Sequence, residues 1–184
     1  MGSLKNQILI SMPHMNDLFF SKSVVYICEH NNKGAMGLII NKKFESPEWN
    51  QIFEKVLLLD KSLKLIKTNL FLGGPVLIEN GIILHHSNYN SNKSLFVSDS
   101  ICITSKKEVF DDLQKTNDIP YKVMLGHSGW SPGQLEKEIK NGDWLLQNIT
   151  SDFLFNIDSN QMWKQAASSL GIDLESSLGL SGQA

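Results

Sequence analysis

The sequence predicts an α+β fold with a mixed, largely antiparallel sheet. Strand-like runs dominate the first half of the chain, and helical patterns are interspersed after them. Hairpin signals and short connections join the strand-like runs, which argues against a strictly repeated βαβ unit. A length of 184 residues fits one domain, so we expect residues 1–184 to form a single domain with a substantial core.

The first third of the chain predicts a hairpin followed by a helix. Residues 7–12 and 23–30 are rich in the Val, Ile and Tyr that are typical of strands. Turn formers at 31–34 separate the second run from 35–41, which predicts an antiparallel hairpin. Ser46, directly before a proline, predicts the N-cap of a helix. The apolar face of that helix is predicted to consist of Trp49, Ile52, Phe53, Val56 and Leu57.

The middle of the chain predicts short strands and one helix. Ser105 and Glu108 have the spacing of a capping box, in which each side chain satisfies a free backbone amide at a helix start. We expect this helix to run to about Lys115. The predicted strands are 69–76, which ends in a double-glycine turn, 81–87, 94–98 and 101–105.

The stretch "YKVMLGHSGWSPGQLEKEIKNG" predicts a strand, a glycine-bearing loop and a helix. The strand covers 121–126 and leads into the loop. Ser131 and Gln134 form a second capping box around a proline, so a helix is expected to begin there. Gly142 is expected to end it.

A final helix is predicted over 159–171. Ser159 is expected to cap its start, and Gly171 is a natural stop at its C-terminal end. Met162, Ala166 and Leu170 lie on one helical stripe, which predicts the face that packs against the core.

The charge composition disfavours direct binding of nucleic acid. The formal net charge is −2, and all 17 basic residues are lysines. Without arginine the chain lacks the planar guanidinium fork that reads guanine and clamps phosphate at two points. The sequence contains no recognisable helix-turn-helix and no basic stripe.

Cysteine usage and the N-terminal residues predict a cytoplasmic protein without a membrane segment. Cys28 and Cys102 both lie in apolar, strand-like runs, and two buried thiols suit a reducing compartment. The first residues lack a secretory pattern, and Asn6 stands where a myristoylation signal needs Ser or Thr. No apolar run approaches the ~20 residues that span a bilayer.

The segment Gly126–Trp130 has part of the pattern of a nucleophile elbow. Such an elbow needs Gly-x-Ser-x-Gly on a turn between a strand and a helix, with the serine as nucleophile. Ser128 follows a glycine and a predicted strand, but the bulky Trp130 stands at the fifth position. No histidine follows Ser128 in the chain, so a base would have to come from His85, His86 or His127.

The same segment also fits an anion cradle at the start of a helix. Backbone amides ahead of Leu135, at the positive end of a helix, suit a carboxylate or a phosphate. The alternative is that Ser131 and Gln134 already satisfy these amides and that Trp130 only fills the core. The Gly73-Gly74-Pro75 segment allows a close backbone approach, but it lacks the remainder of a known phosphate loop.

The cysteine and histidine residues do not have the spacing of a metal site. Cys28 and His30 project to one face of a predicted strand, and Cys102 lies elsewhere in the predicted sheet. Adjacent His85 and His86 project to opposite faces, so at most one of them can join the others. Because no paired spacing of a zinc site is present, we predict neither a metal nor a cofactor.

Several long motifs resemble the AlgH/YqgE family of small bacterial proteins. They are "LISMPHMNDLFFSKSVVYICEHNNKGAMGLIINK", "FLGGPV" with "GIILHHS", "LGHSGWSPGQLEKEIKNGDWLL", "MWKQAASSLGID" and the final "GQA". The resemblance covers 9–184 and implies a single AlgH-like domain with a bent or bifurcated sheet and flanking helices. The family name comes from a proposed role in the transcriptional regulation of alginate synthesis, which implies a regulatory role here.

Where the chain departs from the family pattern, the expected chemistry changes. His127-Ser128 stands where the family often has Tyr-Ala, which argues against Ser128 as a family nucleophile. Lys22 and Gln183 replace arginines that are common in the family, so an anion contact made there by a guanidinium would be weakened or lost. The residues that the resemblance carries over by position are Asn41, Gly73, Gly74, Pro75, His85, Gly126, Gly129, Trp130, Gly133, Gln134 and Trp144.

These observations favour a non-enzymatic cytoplasmic domain that binds a small anionic ligand or a protein partner in a regulatory role. The alternative is a hydrolase that uses Ser128 or a histidine-based centre. We expect the binding site where the Gly73–Pro75 turn approaches the Gly126–Gln134 loop, and the sequence leaves the oligomeric state open. The predicted ligand-binding residues are Asn41, Gly73, Gly74, Pro75, His85, Gly126, Ser128, Gly129, Trp130, Gly133 and Gln134.

Overall fold

The computed structural model describes residues 2–44, 47–59, 69–89, 92–116 and 118–172. The strands are β1 (Gln7–Ser11), β2 (Val24–Asn31), β3 (Gly34–Ile39), β4 (Leu70–Leu72), β5 (Val76–His86), β6 (Leu95–Phe96), β7 (Ile101–Thr104), β8 (Tyr121–Trp130) and β9 (Trp144–Asn148). A 3₁₀ turn, Pro47–Trp49, leads into the first helix. The helices are α1 (Asn50–Leu59), α2 (Lys107–Leu113), α3 (Gln134–Asn141), α4 (Ser151–Asn156) and α5 (Ser159–Ser169). Within these residues, no helix combines the length and apolar character needed to cross a bilayer.

The sheet divides at β8, which has different neighbours along its length. On one side β8 pairs antiparallel with β5. On the other side its first half pairs parallel with β4, and its last three residues pair antiparallel with β3. Beyond β3 the order continues through β2 and β1 to β9, and beyond β5 it continues through β7 to β6. The prediction of a mixed, mostly antiparallel and bifurcated sheet with flanking helices is therefore confirmed.

Successive strand residues point to opposite faces of the sheet, and helices pack against the apolar side chains on these faces. On one side Trp49 of the 3₁₀ turn packs with Phe53, Val56 and Leu57 of α1 against residues of β4 and β8, and each of these four side chains is 5% exposed or less. The predicted apolar face of α1 is thus confirmed, with Ile52 at its half-buried margin. The opposite core contains Met162, Trp163 and Ala166 of α5. Leu170, predicted on the same stripe, is 41% exposed because it lies at the end of that helix.

Several predicted boundaries differ from the observed ones because pairing partners extend the strands. The β2–β3 hairpin is antiparallel, as predicted. β8 continues to Trp130 instead of ending at Gly126, because Ser128 and the residues around it pair with β3. β5 begins at Val76 through a register shift before Gly81, and β9 was not predicted.

Two predicted helix caps are wrong, and one lies outside the described residues. The N-cap of α2 is Lys106, whose own backbone N–H donates to the Thr104 hydroxyl, so Ser105 does not act as the cap. The N-cap of α5 is Asp158, whose carboxylate accepts from the backbone N–H of Asn160. α5 is therefore capped by the residue before Ser159, whereas the N-cap residue of α2 forms no side-chain cap. Ser46, the cap predicted for the first helix, is not among the described residues.

The backbone leaving β4 crosses β8 in direct contact at glycine residues. The Gly73 N–H donates to Leu125 O at 2.7 Å, and Gly73 O accepts from the Ile39 N–H at 2.8 Å. A Cβ at Gly73 would overlap Gly126 O, and one at Gly74 would overlap the His127 carbonyl group. Gly126 has a φ of +70°, which L side chains rarely adopt. Glycine is therefore required on both segments of this crossing.

Substituting Gly126 with alanine should destabilise the fold. The added Cβ would lie 2.5 Å from Gly74 O and would meet an unfavourable φ, so we expect Gly126→Ala to lower the free energy of unfolding by about 3 kcal/mol or more. Gly81→Ala is the matched control on the paired strand, where a Cβ has no neighbour within 4 Å and should change stability by about 1 kcal/mol or less. Urea unfolding measures both variants. Equal stabilities for the two would contradict the requirement for glycine at the crossing.

Candidate functional site

The two glycine segments meet as predicted, but backbone contact fills the space between them. Ser128 Oγ donates to Gly73 O at 3.4 Å, and the Gly74 and Gly126 backbones lie against each other. Pro75 follows on the surface. This crossing holds the sheet together and leaves no room for a ligand between the two segments.

Ser128 does not have the geometry of a nucleophile. Its side chain is 0% exposed, and its hydroxyl points to a backbone carbonyl group. In the described part of the chain, no histidine forms a hydrogen bond with it. The strand that carries Ser128 continues through Trp130, so the strained strand-to-helix turn of an elbow is not formed.

His85 forms a pair with a different serine. Its Nδ1–H donates to His86 O at 3.0 Å, because a carbonyl oxygen only accepts. Its Nε2 then accepts from the Ser94 hydroxyl at 2.9 Å. The His85 ring is fully buried and packs edge-on against Tyr89. Burial lowers the pKa of His85. The pair connects β5 to the segment ahead of β6 and holds a neutral imidazole.

Asn41 and the start of α3 use their polar groups within the fold. Asn41 Oδ1 accepts from the Val24 N–H at 2.8 Å, and its Nδ2 donates to Lys22 O at 2.9 Å. The Ser131 N–H donates to Gln134 Oε1 at 3.0 Å, and the Gln134 N–H donates to Ser131 O at 3.0 Å. Half of the predicted capping box is therefore formed. Gly133, with a φ of +76°, is the N-cap residue and forms no side-chain cap.

The backbone N–H groups of Ser131 and Gln134 at this helix start already have intramolecular partners. Besides Ser131 and Gln134, the backbone N–H of Glu136 donates to the carboxylate of the same residue, which lowers the pKa of that carboxyl group. The Ser131 and Gln134 amides would have to break their bonds to receive an anion. The geometry supports the capping interpretation over an anion cradle.

Three of the predicted residues instead line a cleft between α3, the end of β8 and the segment before β2. This indole cleft has a volume of about 390 Å³. Its aromatic residues are Phe20, Trp130 and Trp144, with ring centroids 5.6 to 6.3 Å apart. The full lining is His14, Met15, Phe20, Gly129, Trp130, Gln134, Glu138, Asp143 and Trp144.

The Glu138 carboxylate is the centre of the hydrogen bonds in the indole cleft. Its Oε2 accepts from the indole N–H of Trp130 at 2.8 Å and from that of Trp144 at 2.9 Å. Its Oε1 accepts from the Gln134 side-chain amide at 2.9 Å. All three donors are neutral, and none of the described cationic residues forms an ion pair with Glu138. The cleft therefore holds a fixed negative charge.

The remaining charges of the indole cleft do not offset that carboxylate. Asp143 Oδ1 lies 3.0 Å from His14 Nε2, and this pair forms the outer edge of the cleft. Among the described residues that line the cleft, none is a lysine. The local field therefore favours a cation over an anion.

Glu138, Phe20 and His14 were not predicted as site residues. A signal for Glu138 exists in the sequence, because it lies four residues after Gln134 and therefore on the same helix face. The positions of Phe20 and His14 carry no local signal, since they reach the cleft only through the pairing of β1, β2 and β9.

Two cysteines and His85 lie near the sheet core without forming a metal site. Cys102 is the cross-strand partner of His85, and both cysteines are free, buried thiols. Burial raises the pKa of Cys28 and of Cys102, so both are held as neutral thiols. Within the described ranges, no group of three or more His, Cys, Asp or Glu side chains is arranged to hold a metal ion.

Comparison with known proteins identifies close relatives over nearly the whole chain. A family model described as AlgH-like matches residues 8–175. A UPF0301 protein of Shewanella woodyi is 39% identical over 178 residues, which cover 95% of each sequence. The UPF0301 protein YqgE of Shigella boydii is 37% identical over 188 aligned positions, which cover 99% of this chain and 100% of YqgE.

Two solved structures have a similar fold. The solution structure of the AlgH protein from Pseudomonas aeruginosa matches with a TM-score of 0.71 and 29% identity, over 99% of this chain and 95% of AlgH. The crystal structure of a Corynebacterium diphtheriae protein matches with a TM-score of 0.70 and 19% identity, over 95% of this chain and 90% of that protein. At 19% identity, the similarity to the Corynebacterium diphtheriae protein concerns the fold alone.

The buried His85 should make the fold less stable in mild acid. Because its folded pKa is lowered below the ordinary 6.5, the unfolded chain binds this proton first as the pH falls. The free energy of unfolding should therefore decrease as the pH falls below about 6.5. We expect a shallower decrease in His85→Gln between about pH 7.5 and 5.5. His86→Gln, on the opposite face of the strand, is the control and should retain the wild-type slope. An unchanged slope in His85→Gln, measured by urea unfolding, would contradict the assignment.

Removing the Glu138 carboxylate should weaken the packing of α3. In Glu138→Ala the two indole N–H groups and the Gln134 amide lose their acceptor, so we expect unfolding to become easier by about 3 kcal/mol. Glu138→Gln keeps one acceptor oxygen and should cost about 1 kcal/mol. Lys137→Ala, exposed on the same helix, is the control and should stay within about 0.5 kcal/mol of wild type. Chemical unfolding, monitored by tryptophan fluorescence, tests this order of stabilities. Equal stabilities of Glu138→Ala and Lys137→Ala would refute it.

Proposed function

The chain belongs to the AlgH-like family, as its motifs predict, and we propose that it is a binding domain rather than an enzyme. In this proposal the indole cleft receives a cationic side chain of a protein partner, and binding serves a regulatory role in the cytoplasm. The observation that carries the proposal is the Glu138 carboxylate, which three neutral donors fix among aromatic rings.

The carboxylate favours a cation because no cationic side chain of the described residues is paired with it. Neutral donors orient Glu138 and satisfy part of its hydrogen-bonding capacity, but they leave the net charge in place. Oε1 accepts one described hydrogen bond, from Gln134, and so retains capacity for a second donor. An ammonium or guanidinium group at this oxygen would form a charge-assisted hydrogen bond.

The aromatic rings support the same kind of ligand. Trp130 and Trp144 lie nearly perpendicular to each other, at an interplanar angle of 78°, and Phe20 is edge-on to Trp144 at 85°. Rings in several orientations around a small space are suited to cations, which are attracted to aromatic faces. Each such contact contributes about 0.5 to 2 kcal/mol, so a small ammonium compound should bind in the millimolar range.

The anionic ligand expected from the sequence fits this cleft less well than a protein partner does. An anion would approach Glu138 and Asp143, and the amides of the helix start are already bonded. The hydrolase alternative lacks support at Ser128, whose hydroxyl is buried. The cytoplasmic location is part of the proposal, and it rests on the two free, buried thiols, which suit a reducing compartment.

Indole N–H signals in ¹H–¹⁵N NMR spectra provide a direct test. The chain has four tryptophans, and two of them, Trp130 and Trp144, line the indole cleft. We expect titration with arginine methyl ester or tetramethylammonium to shift these two signals with saturation at millimolar concentration. Trp49 and Trp163 lie in other parts of the core, so their signals serve as internal controls.

The Glu138→Gln variant and a titration with anions test whether the carboxylate binds the cation. Glu138→Gln keeps the size of the side chain and removes the charge, so the cation-induced shifts should fall at least several-fold. Sodium acetate and phosphate should leave both signals in place. The proposal fails if the anions shift the cleft signals more than the cations do, or if no probe shifts them at about 50 mM, far above the expected dissociation constant.

A further inference from the structure

A larger cavity lies at the opposite end of β8 from the indole cleft. It has a volume of about 650 Å³ and is enclosed by the first residues of β8, the β4 strand, the segment after α2 and the junction of α4 and α5. Its ionisable lining residues are Lys43, Asp118, Tyr121, Lys122 and Asp158. Two lysine side chains thus belong to one cavity.

Lys122 is a buried amine in the wall of this lysine cavity. It is only 5% exposed, and the residues that directly follow it in its strand are apolar. Its Nζ donates to Ile40 O at 3.1 Å and lies 4.5 Å from the ring centroid of Phe71. A carbonyl group and an aromatic ring are weak compensation for the loss of water around an ammonium ion.

A second ammonium group lies over the same ring. Lys43 Nζ is 5.9 Å from the Phe71 centroid, and its positive charge disfavours a charge on Lys122. Burial and then Lys43 lower the pKa of Lys122 to about 7, against a smaller opposing effect of Asp158. Near neutral pH much of this amine is therefore uncharged and has a free electron pair. Desolvation and a neighbouring cation are the two conditions that make lysine a nucleophile for carbonyl compounds.

We propose that Lys122 binds a small oxo acid covalently as an imine, with Lys43 paired to the carboxylate of the ligand. The Nζ electron pair attacks the carbonyl carbon, and a proton moves from nitrogen to the former carbonyl oxygen to give a carbinolamine. The nitrogen then gives up its second proton, the oxygen leaves as water, and a C=N double bond remains. One amine and one carbonyl compound give one imine and one water, so the step needs no oxidant or reductant.

The cavity supplies the groups that this ligand needs. Lys43 offers a cation for the carboxylate, and its Nζ lies near the same Phe71 ring as the reacting amine. Asp158 and Asp118 are carboxyl groups in the lining that can exchange protons with the carbinolamine. The lysine cavity shares no residue with the indole cleft, so this proposal does not depend on the proposed binding of a partner.

Reductive trapping with glyoxylate tests the proposal on the intact protein. Glyoxylate carries one aldehyde and one carboxylate, and cyanoborohydride reduces its imine to a stable carboxymethyl-lysine that peptide mass spectrometry locates. At pH 7 we expect Lys122 to be labelled at least ~30-fold faster than the exposed Lys137, because ordinary lysines are almost fully protonated there. The rate at Lys122 should reach half of its maximum near pH 7.

Matched variants separate a reactive lysine from one that only supports the fold. Lys43→Gln should slow labelling by glyoxylate more than labelling by acetaldehyde, which lacks a carboxylate, and should move the half-maximum to higher pH. Lys122→Met should abolish the fast label without changing labelling at Lys137. Site mapping in the wild-type protein decides the question even if Lys122→Met does not fold. Labelling without preference for Lys122, or Lys122 that remains unlabelled, would overturn the proposal.

Discussion

The architecture depends on a backbone-to-backbone contact in which the Gly73-Gly74 segment crosses β8 at Gly126. Two chain segments approach this closely only where no Cβ intervenes, and both segments provide glycine. The contact lets Gly73 bond with Leu125 on β8 and with Ile39 at the end of β3. It therefore fixes the point at which one side of β8 changes from a parallel neighbour, β4, to an antiparallel one, β3.

Because β8 runs through this junction, it carries a residue of each proposed site. Lys122, near its start, lines the lysine cavity, and Trp130, at its end, lines the indole cleft. The strand has a different helix at each end: α1 packs beside its first half, and α3 follows its last residue. The glycine crossing lies between the two sites along the strand.

The two sites differ in the surroundings of their ionisable side chain, which is half-buried at Glu138 and buried at Lys122. At Glu138 three neutral donors bond to the carboxylate oxygens and bring no counter-charge. At Lys122 a single carbonyl group and an aromatic face replace water, and a second lysine adds repulsion, so the proton is lost easily. The first site thus offers a hydrogen-bonded carboxylate, and desolvation favours the uncharged form of the amine at the second site.

The sequence by itself determined the elements whose signals are local. The β2–β3 hairpin and the buried face of α1 follow from alternation, turn residues and helical spacing, and the long motifs identified the family and its divided sheet. Only the tertiary structure decided which distant residues meet. Ser128 reaches Gly73 across 55 residues and Lys122 reaches Ile40 across 82, so a local pattern carries no information about either contact. The glycine turns predicted as a cleft are a crossing for the same reason, since periodicity reports the face on which a side chain lies but not the backbone that will pack against it.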